Sequence, residues 1–372
     1  MELINSTRMV AGYTMGIEPS GRELLVVVVK GTFRIPAEPG ARLQLHEEQL
    51  PLRVSDVFFG EPGRSAPKYE IDFAPRKRCC DVLLNGHGFA PGGRPIERGS
   101  VALSIGGWSK SFAVVGDRAW YLAGRPRATS PTPFTKIPIS YDHAFGGSDL
   151  RHEDPGRHAA FRPNPSGRGF HKHLVNDWIE GAALPNTEEL GNEVKRPDGA
   201  YRPMSFGPLG RHWEPRYQYA GTYDQHWLDE VAPLLPDDFD ERYYQAAPPD
   251  QQLTLPVGEQ PVSLINLTAD GRRHFVLPYF EAPIHVLPKR GPREELTAPL
   301  DTIVIEPDLE RVTLTWRSAR PLRDSLFEIS QVLVGRKGAQ WWQQRAQPGF
   351  PIPVVVEAMR RREPAPAQES RG

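Results

Sequence analysis

Leu24-Leu25-Val26-Val27-Val28-Val29 is the stretch on which the fold turns. Six consecutive apolar residues leave no polar face for an amphipathic helix, and the β-branched valines favour extended backbone. The run predicts a strand buried on both faces, inside a sheet that is covered on both sides. Thr32-Phe33-Arg34-Ile35 carries it on by alternation until Pro36 stops it. At strand length the run is far too short to cross a bilayer.

Working outward, further strands are predicted by alternation at Tyr69-Glu70-Ile71-Asp72-Phe73 and at Val101-Ala102-Leu103-Ser104-Ile105. Gly106-Gly107 then leads to Ser111-Phe112-Ala113-Val114-Val115, a hairpin signal. Late in the chain Val262 to Leu267 and Arg273 to Leu277 flank the turn Asp270-Gly271. Thr302 to Ile305 and Arg311 to Arg317 flank Glu306-Pro307-Asp308. Both pairs predict hairpins, while Asp324 to Val334 is open between a short helix and a strand. The expected fold is mainly β: antiparallel sandwich-like or barrel-like sheets with long ordered loops and a few short helices.

Between these strand-rich ends, periodicity fades. The stretch holds Trp178, Trp213 and Trp227 among many tyrosines, prolines and glycines. Aromatic density argues for order, and long loops of this kind are functional or held by their own packing. One helix is expected at Thr222 to Leu235, capped by Thr222 or Asp224, with Trp227, Leu228 and Val231 on its apolar face. The resulting sections are residues 1–125 (β), 126–250 (loop-rich, packed on the β body), 251–358 (β) and 359–372 (a disordered tail).

Of 372 residues, 39 are proline and 34 glycine, about a fifth of the chain, which favours short strands and shaped turns over long helices. The 45 Lys and Arg against 46 Asp and Glu give no basic surplus for nucleic acid. No polybasic block borders an apolar stretch, so membrane insertion is not expected. The only two cysteines, Cys79 and Cys80, are adjacent and cannot staple distant segments, which suggests a reducing compartment. Packing before Asp81-Val82-Leu83-Leu84 is their simplest role, a vicinal redox pair the alternative. The start, Met1 to Arg8, lacks a basic region followed by an apolar core, so a cytoplasmic location is expected.

Catalytic signatures are sparse. The chain has no Gly-x-Ser-x-Gly elbow, phosphate-binding Gly-x-x-x-x-Gly-Lys-Ser/Thr loop or His-Glu-x-x-His helix. Gly86-His87-Gly88 and Gly92-Gly93 do not complete a dinucleotide fingerprint. His143, His152, His158, His171 and His173, interleaved with Asp142, Asp149 and Asp154, are the best metal candidates. His171-Lys172-His173 on a strand would put two imidazoles on one face, but without paired cysteines or fixed spacing solvated loop histidines is the plainer reading. Asp237, Asp238 and Asp240 could supply a glycosidase-like carboxylate pair, or simply cap a turn. Cys80 with His87 is a pair only in sequence. No catalytic residue, metal or cofactor is assigned.

The punctuated segments nevertheless form an ordered series: Asp72 to Pro75; Asp81-Val82-Leu83-Leu84-Asn85-Gly86-His87-Gly88-Phe89-Ala90-Pro91-Gly92-Gly93; and Gly116-Asp117-Arg118 with Trp120. Pro133-Phe134-Thr135, Ala144-Phe145-Gly146-Gly147, Asn164-Pro165-x-Gly167 and Leu184-Pro185-Asn186 follow. Trp213 with Arg216, Gly221-Thr222-Tyr223-Asp224 with Trp227, and Leu235-Pro236-x-Asp238-Phe239-Asp240 complete it. From about Val26 to Trp316 this series resembles a family of uncharacterised-domain proteins encoded in bacterial type VI secretion loci. Arg78-Cys79-Cys80 stands where that family has a Pro-Ala-Thr-like tripeptide. The resemblance implies a cytoplasmic adaptor or chaperone, not an enzyme. It would bind a secreted effector, or its PAAR tip domain, stabilise it and promote loading onto the VgrG spike. The motif prolines, glycines and tryptophans first imply architecture. A β-scaffold hydrolase and a carbohydrate-binding protein are the alternatives.

Overall fold

β3 (Glu23–Arg34) contains the quoted run and is buried from Leu24 to Phe33. Its alternate residues serve two different cores, as burial on both faces requires. Leu25, Val27 and Val29 enter the main core, while Leu24, Val26 and Val28 pack under Leu52 and Phe73. Lys30 lies on that second face with its ammonium 2.7 Å from Asp72. Each fully buried Val or Leu here contributes about 1.5–3 kcal/mol over its exposed form.

The computed structural model describes residues 1–255 and 257–346. The tail 359–372, and the C-terminal section beyond 346, lie outside the described residues. β3 lies next to the edge of a seven-stranded sheet ordered Gln252–Thr254, Cys79–Leu84, Leu300–Glu306, Arg311–Pro321, β3 and β2 (Val10–Ile17), with Gln44–Leu45 also paired to β3. A five-stranded antiparallel sheet runs Thr187–Glu188, Trp108–Val115, Arg98–Ile105, Pro261–Ile265, Arg272–Val276. A four-stranded sheet contains β1 (Glu2–Asn5), Ile329–Val334, Ala282–Pro288 and Glu294–Ala298. One core takes side chains from all three, among them Val27, Val82, Leu103, Phe112, Leu264, Ile284 and Val332. The architecture is therefore mainly β and sandwich-like, and the described strands do not close into a barrel. Strands from both ends of the chain meet in one sheet: Cys79–Leu84 pairs in parallel with Leu300–Glu306, and β3 pairs with Arg311–Pro321.

The expected hairpins form. Ile105 faces Trp108 across Gly106-Gly107, and Ile265 faces Arg272 across the Asp270-Gly271 turn. Leu300–Glu306 returns as Arg311–Pro321. Asp324 to Val334 resolves into a turn at Leu326–Glu328 followed by the strand Ile329–Val334. One expectation fails. Of the predicted Tyr69 to Phe73 strand only Tyr69, at the end of Pro67–Tyr69, is extended in a ladder, because the Ile71 amide donates to the Asp56 carboxylate and the Asp72 amide to the Arg53 carbonyl. Its alternation arises from Asp72 turning inward to Lys30. The helix expected within Thr222 to Leu235 forms but is shorter: residues 225–231 are helical, wound more widely over Trp227–Val231, with Asp224 capping the Trp227 amide while Thr222 is drawn to Asp238.

Residues Met1–Gly335 form one unit; the helix Ala339–Ala346 belongs to a second, where Trp341 and Trp342 meet edge to face. No described helix is long and apolar enough to cross a membrane.

Candidate functional site

The motif residues of the loop section build a frame of buried polar bonds. Asp81, fully buried, accepts hydrogen bonds from Lys77 at 2.6 Å, Gln245 at 2.7 Å and the Ala246 amide at 2.8 Å. Lys77 also faces Glu70 at 3.6 Å, and Glu70 lies 2.6 Å from Arg216 and 2.8 Å from Arg211. Burial alone would raise the Glu70 carboxyl, but the cations Arg216, Lys77 and Arg211 outweigh it and hold it down at about 2. Arg216 spends its remaining donors on the Leu209 and Tyr243 carbonyls. One chain of charges therefore ties the Cys79–Leu84 strand to two loop segments more than a hundred residues away.

A second network holds the other half. Arg118 donates to the Pro185 carbonyl and to Glu188, whose other oxygen takes Arg98. Asn186 donates to the Val115 carbonyl and to Asp117, and Asn164 to the carbonyls of Tyr141 and Phe145. The Trp120 indole donates to the Gly169 carbonyl beneath Phe145. Trp213 is buried edge-on to Tyr141. Gly116 is obligatory: a Cβ there would lie 1.8 Å from the Thr132 carbonyl oxygen. Pro75 packs under β2, Gly86 opens the strand Gly86–Phe89, and Pro91 and Gly92 form an exposed turn. Gly146, Gly147, Pro165 and Gly167 sit where the 144–148 and 164–169 segments pair. Buried backbone in a loop must find such partners, and here side chains supply them.

What this frame presents outward is aromatic. Gly221 and Thr222 are pinned to Asp238, the Thr222 amide and hydroxyl each 2.8 Å from its carboxylate. Beyond them Tyr223 packs edge-on to Trp227, whose indole donates to the Leu234 carbonyl. Tyr217 is 60%, Tyr223 52% and Leu228 59% exposed, and Trp227 is half-buried. Large rigid side chains on a fixed backbone lose little entropy on contact and suit protein recognition. Thr222 and Trp227 were legible as motif residues. Leu228 was expected on the packed apolar face of the helix and is exposed instead, and Tyr217 had no signal, since exposure of an apolar residue is decided by packing elsewhere.

The other sequence candidates are accounted for by local bonding. Asp238 holds Thr222, and Asp240 pairs with Arg242 at 2.7 Å. His171 and His173 lie in a loop and not on a strand. His171 is buried, while the His173 Nε2 donates to the Arg157 carbonyl. His158 Nε2 donates to the His152 carbonyl, and His152 Nδ1 accepts the Asp154 amide. His152 and His173 each sit edge-on to the half-buried Trp178. Among the described residues no group of three His, Cys, Asp or Glu is placed to hold a metal ion. A cleft of about 610 Å³ is lined by Lys68, Asn85, His87, Ile139, His143 and Asp308. In it His87 pairs with Asp308 at 2.6 Å, and His143 lies 3.0 Å from the Ser140 hydroxyl. Burial, assisted by Arg168, lowers His143 to about 4, so the imidazole is neutral at pH 7. Cys80 is packed in the main core with its thiol pushed well up by burial.

No curated protein and no solved structure shows significant similarity to the chain. A family model does match, over residues 20–317, and its span takes in both buried networks and the aromatic cluster. The chain belongs to the DUF2169 family, described as uncharacterized proteins conserved in bacteria.

Proposed function

We propose that this protein is an adaptor that binds a secreted effector of a type VI secretion system, or the tip domain joined to it. It holds that cargo stable in the cytoplasm and presents it to the spike. The observation that carries the reading is the exposed Tyr223 and Leu228, with half-buried Trp227, on a segment pinned at Thr222–Asp238, beside exposed Tyr217, which ends the short helix whose Arg216 is held by Glu70. Free tyrosines on mobile loops would lose entropy on binding; these are already placed. The ordered motif series supports the type of partner, and the buried role of most motif residues supports a scaffold. A protein that binds folded cargo also stabilises it by mass action.

The test is co-purification of the intact protein with the effector and spike encoded beside it, together with effector abundance in a deletion strain. Retention of the effector, and its loss from cells lacking the adaptor, are expected. Absence of binding with unchanged effector abundance overturns the proposal.

A further inference from the structure

β2 ends the seven-stranded sheet. It pairs with β3 over all eight residues, from Val10 opposite Lys30 to Ile17 opposite Glu23, without a bulge, and with no other described strand. The Glu18 amide donates to the Arg22 carbonyl, and on the far side of β3 the Leu322 amide donates to the Glu23 carbonyl. Antiparallel bonding alternates along a ladder. Val10, Gly12, Thr14 and Gly16 therefore bond β3, and the backbone N–H and C=O groups of Ala11, Tyr13, Met15 and Ile17 face outward.

The side chains of those same four residues share a face with Leu25, Val27 and Val29, which enter the main core. Out at the rim, however, Tyr13, Met15 and Ile17 are 37%, 38% and 44% exposed. The opposite face of β2 is closed: a Cβ on Gly12 would come 2.5 Å from Leu52. Exposed edges are usually blunted by a charge, a proline or a bulge. Val-Ala-Gly-Tyr-Thr-Met-Gly-Ile has none of these.

We infer that β2 pairs edge to edge, antiparallel, with β2 of a second copy of this chain, across a two-fold axis at Tyr13. Outward-bonding residues must face one another, which restricts the register to those joining Ala11, Tyr13, Met15 and Ile17 of each copy. Centred on Tyr13, the register sets Tyr13 against the partner's Tyr13 and Ala11 against the partner's Met15, so two apolar rims merge. The same register brings Arg8 to the end of the strand where the partner's Glu18 stands. Arg8 is exposed with no carboxylate within ion-pair distance among the described residues, and Glu18 has only Arg76, at 3.6 Å. The symmetry makes this complementary contact twice and sets no like charges opposite each other.

Sedimentation of the full chain across a wide concentration range tests the inference. A reversible species of two-chain mass is expected. The outer amides of the 10–17 segment should gain protection from hydrogen exchange only where that species forms. Tyr13→Pro removes an outward N–H and no bond to β3, so it should leave single chains. Arg8→Glu should weaken the dimer roughly 2- to 30-fold, the range for losing two exposed ion pairs, and Glu18→Arg added to it should restore the dimer. Single-chain mass throughout overturns the inference, as does a dimer indifferent to both Tyr13→Pro and Arg8→Glu. Strong protection of the outer amides of Ala11, Tyr13, Met15 and Ile17 in single chains means that something else covers the edge, and also overturns it.

Discussion

Replacing Glu70 by glutamine removes the centre of the charge chain that joins Asp81 and Lys77 to Arg216 and Arg211. Its carboxyl is lowered from 4.5 to about 2 in the folded protein. A folded value below the unfolded one stabilises the fold fully above pH 4.5, and the contribution disappears as pH falls from 4.5 toward 2. A difference of that size corresponds to about 3 kcal/mol at pH 7, falling to roughly 1 kcal/mol by pH 3. Glu70→Gln should therefore lower stability by about 3 kcal/mol at pH 7, through buried cations left with one anion fewer. The gap to wild type should narrow by about 2 kcal/mol at pH 3. Urea unfolding of both proteins at the two pH values reads this directly, with unchanged slope required for a fair comparison. A variant as stable as wild type at pH 7, or a gap that stays constant down to pH 3, refutes the assignment of Glu70 as the ionised hub.

Other consequences are equally open to measurement. Gly116→Ala places a methyl against the Thr132 carbonyl oxygen and should cost at least about 3 kcal/mol, or prevent folding, by calorimetry; a near-neutral substitution would contradict the close approach. Thiol labelling of the native protein should reach Cys79 slowly and leave Cys80 untouched until denaturant is added, because burial raises both thiols and seals the second. The His143 imidazole should stay neutral on titration by NMR until the pH approaches 4, and a midpoint near 6.5 would show that it is not buried against Arg168.

The sequence revealed most of what depends on local pattern. Leu24 to Val29 declared a doubly buried strand, and Gly106-Gly107 and Asp270-Gly271 declared their hairpins, because period and turn chemistry act over a few residues. Residues 126–250 were opaque for a physical reason. Their backbone groups are satisfied by side chains distant in sequence, as when Arg216 caps Tyr243 and Asn186 reaches Val115, and no periodicity records such bonds. Tyr69 to Phe73 imitated a strand because Asp72 faces inward to Lys30. The tryptophans show the same limit: Trp213 is buried and Trp227 lies half-open beside Tyr223, a difference set by tertiary packing. The motif series identified the frame, and the surface it displays became visible only in three dimensions.

Calorimetric titration of the purified protein with the effector encoded beside it, repeated with Tyr217→Ala/Tyr223→Ala, tests adaptor function most directly. A saturable complex with a negative heat-capacity change is expected, weakened roughly 30-fold or more by the double substitution, as loss of central aromatic anchors requires. No heat of binding to the effector, its tip domain or the spike, or a complex unaffected by the loss of both tyrosines, would contradict it.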